Sequence, residues 1–357
     1  MTGKIPYLFM RGGTSRGPYF RRSDLPEDLD DLAKVLVGVI GSGHPLNIDG
    51  IGGGNAVTTK VAMLSASDDD WADVDYFFAQ VSVEEGLVDF KPSCGNILSG
   101  VGPAALEMGL VEAQGDVTEV KILATNTGSR VVATVQTPGG RVRYGGTTAI
   151  AGVPGTAAQI GLQFRGTVGS ATGKFLPTGS LRDSVEGIEV TCMDVAMPMV
   201  IARAADFDLT GYESREELDA NTDFFARMEA VRIAAGARMG MGDVTKSVTP
   251  KFGLLAPARD GGTIAARYFM PWTTHPSMAV TGAQCLASCA LTPGSVADGL
   301  LNRPTQSPAE VVIEHASGTI EVLAAFTLNN GFEIESAGLV RTARKIAEGH
   351  LFLPEDP

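Results

Sequence analysis

Two side chains in this sequence could pass a proton between them if the fold brings them together. One is the thiol of Cys94, in Pro92-Ser93-Cys94-Gly95-Asn96-Ile97-Leu98-Ser99-Gly100-Val101-Gly102-Pro103. A Gly-Asn pair follows the thiol, and then a run apolar enough to form a buried helix. A helix N-terminus leaves backbone N–H groups unpaired and carries a partial positive charge. Such a position holds carboxylates and favours the reactive thiolate form of a cysteine. The plainer alternative is a small buried cysteine in a packed turn. The other side chain is the amine of Lys60, which interrupts the apolar strand Ala56-Val57-Thr58-Thr59-Lys60-Val61-Ala62-Met63-Leu64. A lysine drawn out of water gives up its proton more readily and can act as a general base near neutral pH. On an edge strand the same residue would be a solvated surface group.

Two more stretches could bind what the pair acts on. Met10-Arg11-Gly12-Gly13-Thr14-Ser15-Arg16-Gly17 gathers two guanidiniums, two hydroxyls and three glycines in one turn. Arginine binds carboxylates bidentately, and hydroxyls with bare backbone N–H groups complete an anion pocket. Arg11, Thr14 and Ser15 are the expected binders; an ordinary hairpin with exposed arginines is the alternative. In Thr274-His275-Pro276-Ser277-Met278-Ala279-Val280-Thr281-Gly282-Ala283, Thr281 and Gly282 open a second apolar segment much as Gly95 and Asn96 open the first. His275 is counted with this group, although a lone histidine is more often structural. Cys285 and Cys289 stand four apart and are expected to share a buried helix face, with Cys192 likewise in the core.

Several chemistries are excluded. Gly50-Ile51-Gly52-Gly53-Gly54-Asn55 fails the dinucleotide pattern, because Asn55 replaces the third glycine and a strand follows. No phosphate-binding G-x-x-x-x-G-K-[S/T] occurs. The four histidines, at 44, 275, 315 and 350, form no H-x-x-x-H pair, and the four cysteines form no paired C-x-x-C. No metal and no cofactor are therefore expected. A net charge of −13 argues against nucleic acid and anionic membrane surfaces. Any anionic substrate must accordingly be held by local donors.

The elements that would position these residues follow from patterning. At 357 residues the chain is too long for one ordinary core, so two domains are expected. Short β-branched runs separated by glycine clusters predict many short strands with tight turns. Residues 25–41 read as an amphipathic helix capped by Ser23 or Asp24, and 215–237 as a longer amphipathic helix with many charges at the surface. Segments 95–110 and 281–290 are apolar nearly all round, which marks helices surrounded by protein. The expected class is α+β: two similar domains, each a curved sheet wrapped around a central buried helix, with the two helix N-termini facing a shared cleft. The boundary is placed at 184/185, in the polar turn around Ser180-Leu181-Arg182-Asp183, which gives 1–184 and 185–344 with 345–357 left over. No stretch resembles a signal peptide and no run of about 18 apolar residues occurs. With its cysteine usage, the chain reads as reduced and cytoplasmic. The sequence leaves a homodimer open.

Taken together, the motifs resemble the aconitate/methylaconitate isomerase family, which includes the 4-oxalomesaconate isomerases and tautomerases of aromatic-acid breakdown. The likeness rests on Met10 to Gly17, Asp49-Gly50-Ile51-Gly52-Gly53, Thr58-Thr59-Lys60-Val61-Ala62 and Cys94 to Pro103. It continues through Gly152-Val153-Pro154-Gly155-Thr156 and Gly242-Asp243-Val244 to Val340-Arg341-Thr342-Ala343-Arg344-Lys345. It implies the diaminopimelate-epimerase-like fold, two β-rolls (curved, mostly antiparallel sheets) each around a central helix, and the return of the last strand, 345–357, to the first domain. Epimerases of that fold use two thiols, whereas Thr281 occupies the region of the second one here, and Cys285 lies too far along the helix. The isomerase branch is similar in pairing a lysine with a cysteine, which makes Lys60 and Cys94 the expected catalytic residues. Arg11, Thr14, Ser15, Gly95, Asn96, Ser99, His275, Thr281 and Gly282 are the expected substrate contacts.

The implied reaction is a cofactor-independent 1,3-allylic proton shift in an unsaturated polycarboxylate. The substrate favoured by overall likeness is 4-oxalomesaconate, as in catabolism of protocatechuate, gallate and other lignin-derived acids. Aconitate or 2-methylaconitate is the alternative substrate, and a non-catalytic polycarboxylate binder is the alternative of another class.

Overall fold

A computed structural model of the chain describes residues 4–328 and 332–353. The chain divides into two compact units, Met1–Leu162 with Val340–Pro357, and Gln163–Leu339.

The first unit carries strands β1 (Lys4–Gly12), β2 (Ser15–Arg21), β3 (Lys60–Ala66), β4 (Val74–Val81), β5 (Val88–Asp89), β6 (Val117–Ala124) and β7 (Ser129–Gln136), with β8 (Gln159–Arg165) at its end. The second carries β9 (Asp183–Val185), β10 (Ile188–Asp194), β11 (Pro198–Arg203), β12 (Lys251–Ala256), β13 (Ile264–Phe269), β14 (Ala309–His315) and β15 (Gly318–Thr327). The first half of the long strand β16 (Glu333–Phe352) pairs with β15, and its second half with β1.

Each unit repeats one connectivity. In the first, β1–β2, β3–β4 and β6–β7 are antiparallel hairpins, joined edge to edge by the parallel pairs β2–β3 and β4–β6. In the second, β10–β11, β12–β13 and β14–β15 are the hairpins, joined by the parallel pairs β11–β12 and β13–β14. Parallel neighbours need a crossover, and helices supply each one. In the first unit these are α1 (Leu29–Ile40), then α2 (Gly95–Leu98) and α3 (Val101–Glu107). In the second they are α4 (Arg215–Ala220) and α5 (Thr222–Arg238), then α6 (Val280–Leu291). Helix α6 is buried from Gly282 to Leu291 and touches β10, β11, β13, β14 and β15. Helices α2 and α3 touch β1, β2, β3, β6 and β7.

The boundaries differ from those expected at 184/185 and 344/345. Residues 163–184 belong with the second unit because its β10 holds them. The buried Asp194 carboxylate accepts hydrogen bonds from Ser170 Oγ, Ala171 N, Thr172 N and Thr172 Oγ1, and Asp194 N donates to Phe175 O. Residues 340–344 belong with the first, where Gly12 pairs with Ala343 and Gly13 N donates to Thr342 O at 2.9 Å. Of the stretch 345–357, residues 354–357 lie outside the described residues.

Three expected helices also change. Helix α1 starts at Leu29 instead of 25, because the Asp28 carboxylate caps it by accepting from Asp30 N and Asp31 N. Residues 22–24 form a separate short 3-10 turn. The expected helix 95–110 is broken at Ser99-Gly100, where Ser99 N and Gly100 N bond three residues back, to Asn96 O and Ile97 O. Pro103 has no N–H to continue the ladder across that break. The expected helix 215–237 is likewise two, since Asn221 ends α4 and caps α5 by accepting from Phe224 N at 3.0 Å. One face of α5 is buried through Phe224, Met228, Val231 and Ala235, while Asp223, Arg227 and Arg238 are exposed, as an amphipathic surface helix requires.

Candidate active site

Lys60 is the first residue of β3, and Cys94 is the residue that precedes α2. The first unit's sheet brings them together: Lys60 Nζ donates to Cys94 Sγ at 3.3 Å. Cys94 is buried, at 8% exposure, while Lys60 is half-buried and its amine lies 5.7 Å from the centre of the Phe78 ring. Close strand approach fixes the lysine backbone. Gly17 of β2 lies so near that a Cβ there would run into the Lys60 carbonyl oxygen.

Two buried tyrosines hold the Cys94 segment. Tyr76 Oη donates to Cys94 O at 3.4 Å, and Tyr19 Oη donates to Ile97 O at 2.6 Å. Burial, then the neighbouring Cys94, push both phenols well above their ordinary pKa, so both remain donors. Gly12 and Gly100 leave the room that the Tyr19 hydroxyl occupies, since a Cβ at either would meet it.

The β1–β2 turn closes on the same segment. Gly13 takes a φ of +52°, which favours glycine, and its bare Cα fits against the Asn96 side chain. Asn96 Nδ2 then donates to Thr14 Oγ1 at 3.0 Å, and Ser99 Oγ donates to Asn96 O at 2.6 Å. Ser15 is buried at 2% exposure, and its hydroxyl has no protein partner among the described residues. The structure thus gathers Lys60, Cys94, Gly95, Asn96, Ser99, Thr14 and Ser15.

Arg11 is placed differently. Strand alternation sets it on the face opposite Gly12 and Ser15. Its Nη1 donates to Gly13 O at 2.8 Å and Thr342 O at 3.0 Å, bracing the turn that carries Thr14.

A family model described as PrpF protein matches residues 2–354. The chain belongs to the PrpF family. It is 47% identical over 348 residues to the (4E)-oxalomesaconate Delta-isomerase of Novosphingobium sp., covering 98% of this chain and 97% of that protein. It is 47% identical over 353 residues to the 4-oxalomesaconate tautomerase of Pseudomonas putida, covering 99% and 97%. The solved structure of a methylitaconate-delta-isomerase superposes with a TM-score of 0.86 at 34% identity, over 98% of this chain and 96% of that one.

The remaining expected residues of this PrpF-family chain lie in the second unit. His275 follows β13. Its backbone N donates to Tyr268 O at 2.8 Å, its Nδ1 accepts from Ser277 N at 3.0 Å, and its ring stands edge-on to Tyr268 at 5.6 Å. Burial pulls its pKa below the ordinary value. Thr281 and Gly282 stand in the first turn of α6, and Gly282 has a packing role because a Cβ there would strike the Tyr268 ring. Cys285 and Cys289 are fully buried within α6 and Cys192 within β10; burial pushes Cys192 and Cys289 up to about 12.

No group of three His, Cys, Asp or Glu among the described residues is arranged to hold a metal ion. Among the same residues, no helix is long and apolar enough to cross a membrane. Sequence reasoning missed Tyr19, Tyr76 and Phe78. Tyr19 and Phe78 sit among consecutive apolar residues in β2 and β4, so no alternation singles them out, and no pattern says which carbonyl a buried phenol will find.

Proposed function

We propose that this chain is an isomerase that moves a C=C double bond in 4-oxalomesaconate by a 1,3-proton shift through Lys60 and Cys94. The observation that carries the reading is the 3.3 Å contact between Lys60 Nζ and Cys94 Sγ, in a chain 47% identical to two proteins named for that substrate. In the proposed step, the Lys60 amine removes a proton from a carbon made acidic by the conjugated carbonyl. The C–H electrons move through the conjugated system to give a dienolate. A proton returns to the carbon two positions away, supplied through the Cys94 thiol, and the double bond has migrated. The proton gained by the amine and the one lost by the thiol balance across their shared hydrogen bond, so the pair is reset after each turnover.

The dienolate needs donors already in place. The exposed Thr14 hydroxyl, the unpartnered Ser15 hydroxyl and the backbone N–H groups of Gly95 and Asn96 are suited to that role. Arg11 is proposed to act through the turn it braces. The repeated hairpin–helix connectivity supports reading each unit as a β-roll around its inner helix, the diaminopimelate-epimerase-like arrangement. The 34% likeness to a methylitaconate isomerase keeps other unsaturated polycarboxylates as the second reading, below the 47% relatives.

Proton NMR in deuterated water, on 4-oxalomesaconate and cis-aconitate side by side, tests this. The expected result is consumption of 4-oxalomesaconate with deuterium entering at the far carbon of the allylic system. Consumption of cis-aconitate alone moves the substrate to the aconitates. Neither consumption nor label in either compound, with binding retained, makes the protein a binder and not an enzyme.

A further inference from the structure

Three guanidiniums stand in a row on the face of the first unit's sheet opposite Lys60. Register places Arg11 directly across from Arg16 on β2 and directly across from Arg344 on β16. Gly17 lies beside Lys60, so alternation puts Arg16, and with it Arg11 and Arg344, on the other face. Like charges directly opposite on neighbouring strands are destabilising unless something neutralises them. None of the three has a carboxylate within ion-pair distance among the described residues, although the chain carries 41 Asp and Glu against 28 Lys and Arg. Acidic residues are thus in excess, yet this row has none.

The row is also kept open. Arg344 is exposed, and Arg16 is half-buried with its guanidinium 5.5 Å from the Phe9 ring, a contact that orients it without cancelling its charge. A Cβ at Gly53 would lie 2.6 Å from Arg16 Nη2 and 2.9 Å from Thr58 Cβ, so the glycine lets both side chains pack close to this loop. A side chain at 53 would therefore crowd the guanidinium.

We infer that Arg16 and Arg344, flanking Arg11, form a second anion site that binds a di- or tricarboxylate independently of the Lys60–Cys94 pair. Guanidiniums on three adjacent strands suit an anion with several separated carboxylates, each able to accept a forked pair of hydrogen bonds. The site goes beyond the proposed reaction and does not depend on turnover.

Phenylglyoxal labelling of arginines in the full chain, mapped by peptide mass spectrometry, reads it directly. The probe is tricarballylate, which has no double bond to shift, added at low salt with sodium chloride of equal ionic strength as control. Tricarballylate is expected to slow labelling of Arg16 and Arg344 several-fold, chloride to leave it unchanged, and the protection to persist in Lys60→Met. An Arg344→Gln variant should lose the protection at Arg16, while Arg344→Lys, which keeps the charge and the fold, should retain part of it. Equal labelling with and without tricarballylate would overturn the inference. So would protection that disappears in Lys60→Met, which would assign the anion to the reaction site.

Discussion

At the scale of single residues, the proposed chemistry rests on two groups that are 34 positions apart in sequence and 3.3 Å apart in space. Both could be picked out beforehand: Lys60 because it breaks an apolar strand, Cys94 because a Gly-Asn pair and a buried segment follow it. Their company could not. Tyr19 and Tyr76 look like ordinary inward-facing strand residues, and only the fold reveals that their hydroxyls hold the carbonyls of Ile97 and Cys94. Arg11 shows the reverse case, since its type suggested an anion contact while its Nη1 braces Gly13 and Thr342. Two predictions belong here. Lys60→Met should lower kcat by roughly 100- to 10,000-fold, the range for losing a positioned acid or base, with the thermal melt unchanged. Gly17→Ala introduces no chemistry, yet its Cβ would displace the Lys60 backbone. It should cost about 1–3 kcal/mol of stability in denaturant unfolding and reduce turnover as well.

Among the elements, legibility ended where local capping decided the outcome. Hydrophobic periodicity found the helices, but Asp28, Ser99-Gly100 and Asn221 set where they begin and break. At Asn221, for example, one side-chain bond to Phe224 N turns a single amphipathic pattern into two helices. Replacing Asp28 with alanine removes the two bonds that cap α1 and should lower stability by about 1 kcal/mol, measured by urea unfolding. Tyr19→Phe is expected to cost a similar ~1 kcal/mol, because Ile97 O keeps its bond from Gly100 N when the phenol is lost. Its larger effect should be on kcat, since the tyrosine holds the segment that begins at Cys94. A variant that unfolds earlier but turns over normally would separate the two effects.

On the scale of the whole molecule, the expectation of two similar halves came from two all-apolar helical segments lying far apart in the chain. The structure expresses it as the same alternation of antiparallel hairpins and helical crossovers in both units. The boundaries were not legible, because the polar turn near 180–188 looks like a linker, whereas the residues before it hydrogen-bond to Asp194. The second unit also holds a nearly buried carboxylate, Glu314. Burial opposes its charge, but N–H groups of Arg259, Gly262 and Asp260 and the Tyr212 hydroxyl outweigh that and hold its pKa down to about 2, from 4.5. A depressed carboxyl stabilises the fold above its unfolded pKa, so this contribution should fade as pH falls from about 4.5 toward about 2. Glu314→Gln should flatten that part of a stability–pH curve.

The account stands or falls on Lys60 and Cys94 handling one substrate proton between them. Its most direct test is deuterium wash-in from solvent into 4-oxalomesaconate, compared for the natural chain, Lys60→Met and Cys94→Ser at equal concentration of folded protein. The account predicts rapid labelling at the far allylic carbon by the natural chain and at least a 100-fold slower rate for both variants. Labelling by Lys60→Met at the natural rate would contradict it.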